Sequence, residues 1–162
     1  MLKVRQAGKS DTEQFLAWRN DPVVVASSFA EGRIEMADHR RWYLQKLASA
    51  DCGLYVVEYD SGPVGQFRFD IDGSEATINY SMGKAFRGRG LATESMMRAI
   101  AFFHDDHAQV TSLVAFVKPD NVASCRVFEK LHFELDGFDK DLQANRYRID
   151  LADPKPDWLT GD

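Results

Sequence analysis

Arg87-Gly88-Arg89-Gly90-Leu91-Ala92 stands between two segments of different period. Upstream, Ala76-Thr77-Ile78-Asn79-Tyr80-Ser81-Met82 reads as a strand; downstream, Leu91 to about Phe103 reads as a helix with Leu91, Met96, Ala99, Ile100 and Phe103 apolar. A basic, glycine-rich turn that opens a helix is an anion site. Its glycines admit a phosphate close to backbone N–H groups, the helix dipole favours negative charge there, and Lys84, Arg87 and Arg89 add cations. A surface turn with solvated arginines has the same composition, so the motif alone leaves the two readings even. A P-loop would need a Gly-Lys-Ser/Thr ending, which is absent. A dinucleotide fingerprint would need a third glycine and a βαβ unit, whereas Thr93 follows Gly90 and the preceding strand belongs to a hairpin meander.

The totals bound the rest. The 162 residues suffice for one domain with a core, and 44% hydrophobic with 28% charged residues is ordinary for a globular chain. A net charge of −5 argues against a nucleic-acid-binding surface. Cys52 and Cys125 have no metal-type spacing and read as reduced thiols of a cytoplasmic protein. Met1-Leu2-Lys3-Val4-Arg5 lacks an apolar signal core, and no apolar run is long enough to span a membrane.

Leu2 to Gln6 alternates as a first strand. Ser10-Asp11-Thr12-Glu13 reads as a capping box with Ser10 as N-cap, starting a helix with Phe15, Leu16 and Trp18, which Asn20-Asp21-Pro22 ends. Val23 to Glu35 reads as an irregular connector, and Met36 to Ala48 as a second helix. Three strands follow, Gly53 to Tyr59, Pro63 to Ile71 and Ala76 to Met82, joined by Asp60-Ser61-Gly62 and the hairpin signal Asp72-Gly73. After the helix from Leu91, His104-Asp105-Asp106-His107 reads as a polar connector whose histidines hold no metal, and Gln109 to Val117 as an apolar strand. Lys118-Pro119-Asp120-Asn121 turns into a helix from Val122 to Leu131, with Asn121 as N-cap. Phe133 to Phe138 and Gln143 to Leu151 read as closing strands. Residues 153–162 read as a tail in which Trp158 and Leu159 can dock.

At this point the sequence resembles the GNAT acetyltransferase superfamily, over about residues 1 to 151. Its acetyl-CoA turn, Arg/Gln-x-x-Gly-x-Gly/Ala, is matched by Arg87, Gly90 and Ala92. Its later pattern is matched by Asn121-x-x-Ser124-x-x-x-Phe128-x-Lys130-x-x-Phe133. The resemblance implies an α/β (α+β) domain over 1–152: a mixed, mostly antiparallel sheet of about seven strands, splayed between the fourth and fifth and flanked by four helices. It implies acetyl-CoA as co-substrate and no metal. Backbone groups from Arg87, Gly88, Arg89, Gly90 and Leu91 to Ala92 would hold the pyrophosphate. Met82 would bond the pantetheine arm, and Asn121, Ser124 and Phe128 would meet the cofactor from the last helix. The amine would attack the thioester directly, with backbone donors holding the oxyanion.

Phe128 stands where that family commonly has a tyrosine that protonates the departing sulfur, which leaves Tyr80, Ser81 or water as donor. His132 stands where a glycine is usual; it reads as a left-handed cap. Base candidates are Asp70, Glu75, Tyr80 and Ser81, and alternation lets only one of Tyr80 and Ser81 face the substrate. For Asp70 and Glu75 the plainer reading is a solvated hairpin end.

Trp18-Arg19-Asn20-Asp21-Pro22, with Ser27-Ser28 and His39-x-x-Trp42, resembles enzymes that acetylate a nucleotide-linked 4-amino-4,6-dideoxy sugar, as in the pseudaminic-acid pathway. Less closely, it resembles the group that acetylates ribosomal-protein N-termini. The resemblance implies Arg19, Asn20, His39 and Trp42 as acceptor-binding residues, with Arg33, Arg40 and Arg41 as further cations for a diphosphate. It implies an amino-sugar nucleotide or a protein N-terminus as partner, leaves room for a homodimer, and involves no nucleic acid or membrane. A non-catalytic acyl-CoA-binding module is the alternative that Phe128 alone supports.

Overall fold

The computed structural model describes residues 1–30, 32–60 and 62–160. Ser61 of the expected Asp60-Ser61-Gly62 turn, Glu31 of the connector and residues 161–162 of the tail lie outside the described residues. The strands are β1 (Lys3–Gln6), β2 (Cys52–Tyr59), β3 (Gly62–Asp72), β4 (Glu75–Met82), β5 (Ser112–Val117), β6 (Glu134–Asp139) and β7 (Ala144–Asp150). The helices are α1 (Thr12–Arg19), α2 (Pro22–Ser27), α3 (Met36–Ala48), α4 (Leu91–Asp106) and α5 (Val122–Lys130). One seven-stranded sheet runs β1-β2-β3-β4-β5-β7-β6, with β4–β5 its one parallel pair among the described residues. A parallel neighbour needs a long crossover, which α4 supplies.

The period-2 alternation of β2 shows how the core divides. Tyr55 and Val57 face the larger cluster, with Phe67, Phe69, Ile78, Met96, Ile100, Phe103 and Phe128 under α4 and α5. Leu54 and Val56 face the smaller one, with Phe15, Trp18 and Tyr43 of α1 and α3. Trp18 is thus a core residue, as its helix position suggested. In the tail, Trp158 donates from Nε1 to the Leu131 carbonyl at 2.9 Å, and Leu159 packs on the larger cluster beside it.

Four local readings need correction. Part of the expected irregular connector is helical: Pro22 opens α2, and the Asp21 carboxylate caps it through the Val23 N–H at 2.9 Å, so the described chain has five α-helices rather than four. Ser10 caps nothing. A 3-10 turn, Lys9–Asp11, precedes α1, and its closing acceptor is Asp11, which takes the Gly8 N–H at 2.8 Å. The His104-Asp105-Asp106 segment belongs to the last turn of α4 rather than to a connector. β5 begins at Ser112 rather than Gln109.

His132 is left-handed, at φ 66°. The Phe133 N–H reaches the Phe128 carbonyl and the His132 N–H reaches that of Glu129, both at 3.0 Å, while the Phe128 and Phe133 rings pack edge-on at 5.0 Å. This is a Schellman cap with its hydrophobic contact, formed without glycine.

Asp11 also receives both terminal nitrogens of Arg5 at 2.7 Å. That bond, against an opposing effect of burial, holds its carboxyl below the usual range. A depressed folded-state pKa contributes stability that is full above about pH 4, the unfolded value, and is lost as pH falls through the folded one. Asp11→Asn is therefore expected to cost about 1–3 kcal/mol at neutral pH. Denaturant midpoints of variant and wild type should converge in acid, and a pH-independent difference would assign the loss to packing instead.

Candidate active site

β4 and β5 pair only at Glu75–Ser112, Ala76–Leu113 and Thr77–Val114. Beyond these registers Ile78–Met82 still pairs with β3, and Ala115–Val117 with β7, but not with each other. A cavity of about 1160 Å³ opens there, lined by both strand ends, the glycine loop, α5, α2 with the segment after it, and α3.

The loop sits at one end of this fissure. A 3-10 turn, Lys84–Phe86, leads into it, and Gly88 and Gly90 are left-handed at φ 73° and 72°. Nothing lies within 4 Å of where a Cβ would stand at either, so glycine serves the backbone angle and not a lack of room. Gly90 is the N-cap of sixteen-residue α4 and makes no side-chain cap, so the first N–H groups of α4 remain as anion donors. Gly88, Gly90, Leu91, Ala92 and Thr93 line the cavity.

The two loop arginines part company. Arg87 donates to both Asp21 oxygens, at 3.3 and 3.0 Å, tying the loop to the cap of α2. The Arg87 bond is the main reason that the Asp21 carboxyl lies below its ordinary value. Arg89 is exposed, stacks on Phe86 at 5.6 Å and does not line the cavity. The expectation that Arg89 lines the cofactor site is therefore not met, and its charge can act there only at a distance. At the other end of α2, Lys118 donates to the Ala26 carbonyl at 3.1 Å and lies over Phe29 at 5.8 Å.

The two proton-carrier candidates face opposite sides. Tyr80 stacks on Phe67 at 5.6 Å, meets Phe128 edge-on at 6.0 Å and pairs its hydroxyl with Ser124 Oγ at 2.8 Å, all on the α4–α5 side. Burial raises its pKa, with the Ser124 bond acting the other way. Ser81 is buried on the α1–α3 side and accepts from Gln66 Nε2 at 3.0 Å. Met82 is buried in the cavity wall. Asn121 lines the cavity too, while its Oδ1 accepts the Ser124 N–H at 3.3 Å, so it serves as the expected helix cap.

Asp70 and Glu75 do not line the cavity. Lys46 and Arg68 each bond Asp70 at 3.0 Å, and their charges outweigh burial to lower its pKa. Glu75 meets Ser112 at 3.2 Å and Arg146 at 3.4 Å, on the surface of the sheet. Glu75 fits the plainer reading of a hairpin end, whereas Asp70 is a part-buried ion-pair partner rather than a solvated end, and neither lies where a base would act.

Of the acceptor candidates, Arg19 and Trp42 line the cavity openly. Arg19 also braces the following segment through the Ala30 carbonyl at 3.1 Å. Asn20 does not line the cavity: its amide is consumed by the Ile34 backbone, at 2.9 and 2.8 Å. His39 reaches the cavity wall, but it is 2% exposed, with Nε2–H donating to the Thr12 carbonyl at 2.9 Å. Burial lowers its pKa against that bond, so it reads as a neutral brace. Arg40 and Arg41 lie outside the cavity, whereas Arg33 lines it.

Sequence reasoning missed Gln66, Arg68, Lys118 and Arg126 and gave Lys130 no role beyond its place in the later pattern, yet all five line the cavity. Arg68 lies over the Trp42 ring at 5.1 Å. Alternation in Gln66-Phe67-Arg68-Phe69 was the available signal, since two buried phenylalanines put Gln66 and Arg68 on the other face. Seven lining residues are cationic, Arg19, Arg33, Arg68, Arg87, Lys118, Arg126 and Lys130, against two carboxylates, Glu35 and Asp38. In a chain of net charge −5, that concentration marks a site for anionic ligands. No group of metal-ligating side chains occurs among the described residues, and no described helix is long and apolar enough to cross a membrane.

Residues 2–134 match the family model described as an acetyltransferase (GNAT) domain. No curated protein sequence matches the chain. Among solved structures, the spermidine N-acetyltransferase from Vibrio cholerae, in complex with CoA and spermine, superposes with a TM-score of 0.81 at 16% identity, over 92% of this chain and 95% of that one. The aminoglycoside acetyltransferase AAC(6')-Ib with ribostamycin and coenzyme A gives 0.80 at 22%, over 92% and 93%. A domain from Methanocaldococcus jannaschii gives 0.79 at 15%, over 93% and 99%. At these identities the structures report a shared fold.

Proposed function

The chain belongs to the GNAT acetyltransferase family, and on that footing we propose that it moves the acetyl group of acetyl-CoA to the amine of a small, negatively charged acceptor. A nucleotide-linked amino sugar is the leading candidate. The residues present fit a CoA thioester: N–H donors at the start of α4 suit the pyrophosphate, Arg126 and Lys130 add charge from α5, and the unpaired edges of β4 and β5 suit the amides of the pantetheine arm. The enzyme's own contribution is positioning, exclusion of water and hydrogen-bond donors placed for the developing oxyanion.

The observation that carries the acceptor class is an excess of cations in the lining: Arg19, Arg33, Lys118 and Arg68, the last paired with Asp70 outside the cavity, face only Glu35 and Asp38. A polyamine or aminoglycoside would meet repulsion from it, whereas a diphosphate would be attracted. Trp42 lines the cavity with Arg68 over its ring, which adds an aromatic edge to the charged lining beside which a sugar or base can sit. No described residue of the β6–β7 hairpin lines the cavity, which favours a small acceptor over a protein N-terminus.

Thiol release from acetyl-CoA, measured with an amino-sugar nucleotide, spermidine, an aminoglycoside, a peptide and no acceptor, tests the reading. The nucleotide sugar should exceed the polycations in kcat/KM by at least about tenfold, or about 1.4 kcal/mol, a little more than one charge pair is worth in bulk water. Preference for spermidine would separate the cationic lining from the acceptor. CoA binding with no turnover on any amine would make the protein a binding module.

A further inference from the structure

We propose that Tyr80 is the acid that protonates the departing CoA sulfur, with Ser124 as the partner that steadies its oxygen. The proposal rests on the acetyltransferase reading above. A thiol has a pKa of about 8.5, so at neutral pH the sulfur leaves most easily if a proton reaches it as the C–S bond breaks. Phe128, fully buried on α5, has none to give.

Tyr80 lies mid-way along the part of β4 that has parted from β5, and its hydroxyl bridges to α5 through Ser124 at 2.8 Å. Tyr80 and Ser124 line the same cavity as Gly88 and Gly90 of the glycine loop. The stacking of Tyr80 on Phe67, at 5.6 Å and 9° between planes, fixes the ring. Of the other hydroxyls that line the cavity, Ser81 lies on the opposite face and is engaged by Gln66, Thr93 sits in the first turn of α4 beside the loop, and Ser27 and Ser28 are bonded to backbone at the end of α2. Burial keeps the Tyr80 phenol protonated through the neutral range, the state an acid needs.

The step balances. The neutral amine bonds to the acetyl carbon and the C–S bond breaks with its electron pair going to sulfur. Sulfur takes the Tyr80 proton, and the Ser124 hydroxyl donates to the phenolate oxygen. The proton lost by the amine nitrogen, returned through solvent, restores Tyr80. The products are the amide and the free thiol.

The test compares Tyr80→Phe with wild type in three ways. With acetyl-CoA, kcat should fall about 100-fold, the low end for general acid catalysis, while KM for acetyl-CoA and the melting temperature hold. With the acetyl selenoester of the same cofactor, whose selenol leaves without a proton, most of that deficit should vanish. Without turnover, the thiol of bound CoA, followed by thiolate absorbance against the desulfo-CoA complex, should titrate about one unit higher in the variant, for want of the hydrogen bond to the thiolate. Equal loss with both donors, or an unmoved thiol titration, would overturn the role of Tyr80 and leave the acetyltransferase reading intact. Failure of wild type to bind CoA by calorimetry would overturn that reading and the proposal with it. Should Tyr80→Phe melt early, Ser124→Ala serves: it should shift the bound thiol in the same direction by less, and no shift would overturn the pairing.

Discussion

Gly90→Val is expected to raise the dissociation constant for acetyl-CoA at least about 100-fold, with little loss of fold. A β-branched residue at φ 72° is a genuine outlier, and the left-handed region costs about 1–2 kcal/mol even before branching is counted. The loop can relieve that strain only by rotating the peptide planes on either side of residue 90. That turns N–H groups at the α4 terminus away from the fissure, and each charge-assisted bond lost is worth about 1.5–3 kcal/mol. The position is exposed and has open space, so global stability should fall by no more than the local strain. Arg89→Glu is the control. Its side chain is exposed and does not line the cavity, so its effect should be smaller, about tenfold or less, and should fade with added salt. Calorimetric titration separates the two. Similar affinity in wild type and Gly90→Val would remove this loop from the cofactor site.

Phe103→Ala is expected to be the most damaging change to stability. Phe103 is fully buried on α4, stacked on Phe69 at 4.2 Å and His107 at 4.6 Å and edge-on to Tyr55 at 6.3 Å. Truncation leaves a cavity that three neighbouring rings are too rigid to fill. The cost is about 3–5 kcal/mol, or on the order of 10 °C in melting temperature for a domain of this size. The urea midpoint should fall with an unchanged m-value. A loss below about 1 kcal/mol would mean that the α4–sheet contact is not the main core.

The parts of this fold legible in the sequence are those written in local chemistry. Asp72-Gly73 makes its hairpin turn with Gly73 at φ 63°, Asn121 caps α5, and His132 takes the left-handed position. The strands of the meander also stand where they were read, and the alternation of β2 divides the two clusters. Helix α2 was hidden because Val23-Val24-Val25 is a poor helical sequence on its own. Tertiary ties hold it, from Arg87 at one end and Lys118 at the other, across 66 and 92 residues of chain. Asp11 displaced Ser10 as the cap for a similar reason, since Arg5 on the adjoining strand fixes it.

At the site, main-chain features proved more legible than side-chain roles. The glycine loop and the splayed strands lie where their neighbours in sequence put them. Asn20 and His39 have the right chemistry for recognition, but carbonyls 14 and 27 residues away absorb it. No local pattern announces such a bond. Nothing local in the sequence gives Lys118, Arg126 and Lys130 a common target; the way β5 and α5 border the fissure does.

The three-rung seam between β4 and β5 makes the sheet two half-ladders joined at one end. On the proposed function a thioester would supply the missing rungs and act as a splint, and by mass action a ligand at 100 times its dissociation constant adds about 2.7 kcal/mol to folding. Preparations stripped of nucleotide should therefore be the most vulnerable to proteases and to heat, and storage with CoA should be the simplest remedy.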